Sequence, residues 1–261
     1  MPKTRHQRRG IYLLPTLFTV GNLFCGFSSV VFSSIDRLET AALMILVAAV
    51  LDGLDGRIAR LTGSTSAFGI EFDSLADIVS FGVAPAMLAF HWSLGPGRIG
   101  WSLAFLFVVS AAMRLARFNI KTSASDKRFF IGLPAPMGGC VLASLVFTFP
   151  ELPDSRWVAI GLAVFVLCIA ILMVSRVRYR SFRDLDLRNR RSYIFVLPIA
   201  AVLVAIVMRP KIVLPVLCGA YLLSGLVLYL RDRRSLRAGS RAAPEGRSTA
   251  VPEVADEPAL R

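Results

Sequence analysis

Eight stretches of this chain are apolar over close to the length that a bilayer core demands, and that restricts its fold more than any other feature. The hydrocarbon core is about 30 Å thick, so a crossing helix needs about 20 mostly apolar residues. The stretches run near Leu13–Ile35, Ala41–Leu61, Ile70–Trp92, Trp101–Ile120, Leu133–Phe149, Val158–Val174, Tyr193–Met208 and Ile212–Leu230. A mean hydropathy of +0.64 exceeds that of an ordinary soluble domain. The expected fold is all-α, a polytopic membrane helix bundle with about eight transmembrane helices. The second and third stretches also carry carboxylates, which weakens their hydropathy signal.

The net charge is +13, and its placement is informative. Basic residues gather before the first stretch (Lys3, Arg5, Arg8, Arg9) and between the second and third (Arg57, Arg60). They gather again after the fourth (Arg114, Arg117, Lys121, Lys127, Arg128), the sixth (Arg176 to Arg191) and the eighth (Arg231 to Arg241). The alternate loops hold only Arg37, Arg98, Arg156, Arg209 and Lys211. The positive-inside rule then puts both termini in the cytoplasm. Basic residues at helix ends suit topology anchoring and anionic lipid headgroups, so no nucleic-acid partner is expected.

Cys25, Cys140, Cys168 and Cys218 sit inside apolar stretches without CxxC spacing and read as buried small residues. His6 and His91 form no cluster in the sequence. The N-terminal basic run and its apolar continuation read as a first span, not a cleaved leader. The expected organisation is a basic cytoplasmic N-terminus (1–12), one membrane-embedded domain (13–230), and a disordered cytoplasmic tail (231–261) rich in Ala, Gly, Ser, Pro and Glu.

The chemistry concentrates between Leu51 and Gly82, which hold Asp52, Asp55, Asp73 and Asp77. An ionised carboxylate in a span costs a few kcal/mol, so such a cluster needs compensation. Asp52 and Asp55 share one helix face, and Gly69, Asp73 and Asp77 form a stripe at i, i+4, i+8. The link Thr62 to Ser66 lets the two helices turn back on each other. Four carboxylates repel in a low dielectric, and two divalent cations balance the formal charge. Oxygen-only ligands favour Mg²⁺ or Mn²⁺ over zinc. A two-metal carboxylate centre suits phosphoryl transfer. Gly53, Gly56, Gly63 and Gly69 remove bulk where a nucleotide would approach, and Arg57 and Arg60 bring positive charge. The competing readings are solvated aspartates at a helix end, glycines for helix packing, Arg57 as a topology anchor, and a carboxylate-based cation transporter.

The spacing Asp52-x2-Asp55-Gly56-x2-Ala59-Arg60-x8-Gly69-x3-Asp73-x3-Asp77 resembles the full motif of the CDP-alcohol phosphatidyltransferase family. The resemblance implies a six-helix core, a homodimer, and an active site open to the cytoplasm. It implies that Asp52, Asp55, Asp73 and Asp77 hold two Mg²⁺ (or Mn²⁺) ions and that Asp77 is also the catalytic base. It implies a CDP-lipid pocket at Gly56, Ala59, Arg60, Ser66 and Gly69. Asn22, polar in an apolar stretch, is either a contact in that pocket or a helix–helix hydrogen bond. The segments Thr19–Phe27, Ser80–Leu88, Arg114–Asn119, Gly132–Pro136 and Tyr179–Asp186 are similar to the serine-accepting branch of the family.

The implied reaction joins CDP-diacylglycerol and L-serine, giving the serine phospholipid and CMP, in a prokaryotic cell membrane. Arg114 and Arg117 suit the serine carboxylate, with topology anchoring as the alternative. Other acceptors for the same chemistry are glycerol 3-phosphate, an inositol derivative or choline.

Overall fold

The computed structural model describes residues 5–63, 66–121, 129–153, 155–175, 177–180 and 193–241. They form helical rods joined by short turns. The helices are α1 (Arg5–Ser34), α2 (Leu38–Thr62), α3 (Ala67–Ile78), α4 (Ala84–Ala89), α5 (Arg98–Lys121), α6 (Ala135–Thr148), α7 (Arg156–Val174), α8 (Tyr193–Met208) and α9 (Pro210–Arg241). A π turn at Val79–Val83 joins α3 to α4, and a second at Phe90–Leu94 extends α4. Together they make one rod, so eight rods match the eight apolar stretches.

The all-α expectation holds for the architecture, with one short strand pair beside the helices. Phe129–Ile131 (β1) pairs antiparallel with Arg178–Arg180 (β2), placing Phe130 opposite Tyr179. Gly132 N–H extends the pairing by donating to the Val177 carbonyl at 2.8 Å. Gly132 has φ +84, and a Cβ there would lie 3.2 Å from the Ser175 carbonyl oxygen. Only glycine accepts both constraints, which gives the Gly132–Pro136 segment a structural reason.

Among the described residues, four rods are long and apolar enough to cross a membrane: Thr16–Ser34, Ala67–Leu94, Arg98–Asn119 and Arg156–Val174. Ala135–Thr148 and Pro210–Gly225 are apolar but shorter. Large apolar side chains such as Leu17, Phe24, Phe27, Phe105 and Val207 face outward. Water would penalise such a belt and lipid would not. The chain is an integral membrane protein. Helix α9 stays helical to Arg241, past residue 230 where the membrane domain was expected to end; residues 242–261 of the tail lie outside the described residues.

The core forms where small residues let helices approach. Ala41, Ala42, Ile45 and Ala48 bury one face of α2, which packs chiefly on α1 and α6. Phe81, Leu88, Phe107, Leu142, Ile169 and Met173 fill the centre. One buried face of α1 is a stripe of small and polar residues at alternating spacings of three and four: Thr19, Asn22, Gly26, Ser29 and Ser33. All four polar members are buried.

Gly26 is the closest approach in that stripe. A Cβ there would lie 2.7 Å from Ser80 Cα, in the π turn. Backbone cannot yield as a flexible side chain can. Gly26→Ala is therefore expected to destabilise the fold by about 1–3 kcal/mol. A thermal melt of the purified chain in detergent would read this as a lower midpoint; an unchanged midpoint would refute it.

Candidate active site

Helices α2 and α3 each bring two aspartates to the same end of the bundle. Their turn is set locally. Gly63 closes α2 in the left-handed conformation at φ +61, with its N–H donating to the Ala59 carbonyl. Ser66 then opens α3 by accepting the Gly69 N–H on its side-chain oxygen at 3.0 Å. Ser66 and Gly69, expected in the CDP-lipid pocket, thus also form the helix cap.

One carboxylate oxygen from each of Asp52, Asp55 and Asp73 lies within 4.8 Å of the other two. The group draws on both helices, as the turn-back geometry requires. Direct packing between α2 and α3 is nevertheless sparse, and both lean on α1. Three hard oxygen donors without Cys or His suit a divalent ion of the Mg²⁺ or Mn²⁺ type.

Asp77 lies one turn deeper than Asp73, and it is not in that three-residue group among the described residues. Its side chain is buried, and Oδ1 accepts from Asn22 Nδ2 at 3.2 Å. Asn22 is wholly buried, and its carbonyl oxygen Oδ1 has no hydrogen-bond partner among the described residues. Ser80 Oγ, just beyond Asp77, donates to the Asn22 backbone carbonyl at 2.9 Å. The π turn that carries Ser80 follows the α3 aspartates directly; widened turns of this kind are frequent at functional sites.

Asp55 is held from the same side: Thr19 Oγ1 donates to its Oδ2 at 3.0 Å. Asn119 Nδ2 donates to Ser74 Oγ at 3.0 Å, tying α5 to α3 between Asp73 and Asp77. Thr19 and Asn119 were not singled out from the sequence as site residues. The three-and-four spacing of the α1 stripe is the signal that points to Thr19. No comparable pattern marks Asn119.

A Cβ on Gly53 or Gly56 would meet nothing within 4 Å. Neither glycine is required by helix packing, so the α2 backbone beside Asp52 and Asp55 is open to a ligand. Ala59 lies on the same helix and is half-buried. Arg60 belongs to α2, but its side chain lies outside the described residues. Most of the basic loop between Arg176 and Arg191 does too.

Arg114 and Arg117 stand one turn apart on α5 but differ in surroundings. Arg114 lies over the Phe118 ring, 5.6 Å from its centroid. Arg117 Nη1 donates to the Val174 carbonyl at 3.2 Å, at the C-terminus of α7. A cation there satisfies an end carbonyl and favours the helix dipole.

Comparison with known proteins gives the family. The CDP-alcohol phosphatidyltransferase pattern matches residues 12–174, which include all four aspartates. The chain is 40% identical over 226 residues to the CDP-diacylglycerol–serine O-phosphatidyltransferase of Helicobacter pylori, covering 84% of this chain and 92% of that protein. It is 33% identical over 230 residues to the Mycobacterium leprae protein of the same name, covering 85% and 77%. It is 32% identical over 223 residues to that of Methanocaldococcus jannaschii, covering 85% and 97%. With its aspartate motif, its membrane helices and these relatives in agreement, the chain belongs to the CDP-alcohol phosphatidyltransferase family.

Proposed function

We propose that this protein transfers the phosphatidyl group of CDP-diacylglycerol to the hydroxyl of L-serine, giving phosphatidylserine and CMP. The observation that carries the proposal is the convergence of Asp52, Asp55 and Asp73 beside a deeper, hydrogen-bonded Asp77. The serine acceptor rests on the named activity of the relatives.

In this reading Asp52, Asp55, Asp73 and Asp77 hold two Mg²⁺ or Mn²⁺ ions, which when bound neutralise the pyrophosphate and stabilise the leaving CMP. Asp77 takes the serine hydroxyl proton, because that hydroxyl ionises far above neutral pH and needs a base within hydrogen-bond reach. Asn22 occupies Oδ1 of Asp77, so Oδ2 is the oxygen assigned to the proton. The contribution of Asn22 to the CDP-lipid site then runs through this carboxylate. The serine oxygen forms a bond to the lipid-bearing phosphorus as the bond from that phosphorus to the CMP oxygen breaks. Gly53 and Gly56 leave the α2 backbone accessible to the nucleotide. Ala59, Arg60, Ser66 and Gly69 border the CDP-lipid on either side of the α2–α3 turn. Arg114 and Arg117 are the candidates for the serine carboxylate, Arg117 also engaging the end of α7.

The proposal extends to eight membrane spans with a six-helix catalytic core, a membrane domain over 13–230, a homodimer, and a site facing the cytoplasm of a prokaryotic cell. It is tested by CMP release from the purified chain in nanodiscs containing CDP-diacylglycerol. Serine should give phosphatidylserine, with turnover lost on adding EDTA. Glycerol 3-phosphate, inositol phosphate and choline should give at most background. Product from one of those acceptors in place of serine would overturn the acceptor assignment and keep the chemistry.

A further inference from the structure

We propose that Thr19 is a positioning residue for this reaction, acting through Asp55. The inference rests on the metal reading of the aspartate group given above. A carboxylate has a broad, roughly two-fold preference about its last torsion. Its oxygens therefore need an external partner to stay in one orientation. Thr19 and Asp55 are each only 5% exposed, so water is a poor candidate for that partner. The hydroxyl of Thr19 reaches across from α1 and donates to Asp55 Oδ2 at 3.0 Å. A hydroxyl bonding an ionised carboxylate is stronger than a bond between neutral groups. Asp55 in turn supplies one of the three oxygens gathered at the centre.

The placement of Thr19 on α1 is what gives this bond its effect. Helices α2 and α3 share little direct packing, while α1 packs on both. From one face of α1, Thr19 reaches Asp55 on α2 and, one turn later, Asn22 reaches Asp77 on α3. Helix α1 thus indexes the two acidic helices against each other, with Ser80 tying the π turn to the same turn of α1. A helix that only filled space would need small residues here, and no hydroxyl aimed at a carboxylate.

A merely structural Thr19 would change stability and leave cation affinity alone. The full-length chain in nanodiscs is titrated with Mn²⁺, and free Mn²⁺ is read by electron paramagnetic resonance, without substrate. Thr19→Val keeps the shape and removes the donor. Loss of a group that orients a metal ligand commonly costs about 10–100-fold in affinity. Thr19→Val is expected to raise the Mn²⁺ half-saturation concentration by that factor, and Thr19→Ser to restore most of it. In the turnover assay the metal activation constant should shift in parallel while KM for CDP-diacylglycerol holds. Thr19→Ala provides the same reading if the valine variant folds poorly. Mn²⁺ uptake by Thr19→Val or Thr19→Ala equal to that of the unaltered protein overturns the inference alone. An unaltered protein that takes up no Mn²⁺ overturns the metal reading and this inference with it.

Discussion

Replacing Asp77 with asparagine is expected to lower kcat for CMP release by about 10²–10⁴-fold, the range a positioned base contributes. The substitution keeps the side chain's size in a buried position. It also keeps a carbonyl oxygen that can accept from Asn22 Nδ2, as Asp77 Oδ1 does now at 3.2 Å. What is lost is the capacity to take a proton, together with one of the four carboxylates proposed to hold the two ions. Asp52, Asp55 and Asp73 are untouched, and their oxygens lie within 4.8 Å of one another, so at least one divalent cation should still bind. The measurement is single-turnover phosphatidylserine formation, paired with Mn²⁺ titration of the same sample. Turnover within tenfold of the unaltered protein, with Mn²⁺ bound, would remove Asp77 from the role of base.

The distinction between Asp77 and the other three aspartates was legible in the sequence only through the family resemblance. Spacing alone puts Asp73 and Asp77 on one stripe of α3 and treats them alike. Their separation comes from depth: Asp77 is a turn further into the bundle, where Asn22 meets it. That contact joins residues 55 positions apart and depends on how α1 crosses α3. Apolar stretch lengths, by contrast, follow directly from bilayer thickness, and the eight helical rods were readable for that reason. The β1–β2 pairing was not, because three-residue strands leave no periodic signal. Gly53 and Gly56 were readable only as small residues. Whether they serve packing or access depends on the emptiness above them, which belongs to the fold. Arg117 shows the opposite limit: a basic residue near a helix end had two readings, and the Val174 carbonyl supplies a structural partner for it.

Asp73→Asn should fail differently from Asp77→Asn, and the contrast bears on the whole mechanism. Asp73 is the only α3 member of the three-carboxylate group. Amide replacement leaves two carboxylates, both on α2, and removes one unit of negative charge from the centre. A unit charge a few ångströms from a divalent ion is worth several kcal/mol even with an effective dielectric near 20. Affinity for Mn²⁺ should therefore fall by well over about tenfold. Turnover at fixed Mg²⁺ should fall by about 10²–10⁴-fold, since a metal contributes several kcal/mol to the transition state. Raising Mn²⁺ should recover part of that loss in Asp73→Asn and much less of it in Asp77→Asn, where the missing base is not replaced by the ion. Equal insensitivity of the two variants to added Mn²⁺, with cation binding intact in both, would mean that the aspartates act as one acid–base unit. Asp73 would then not be a metal ligand.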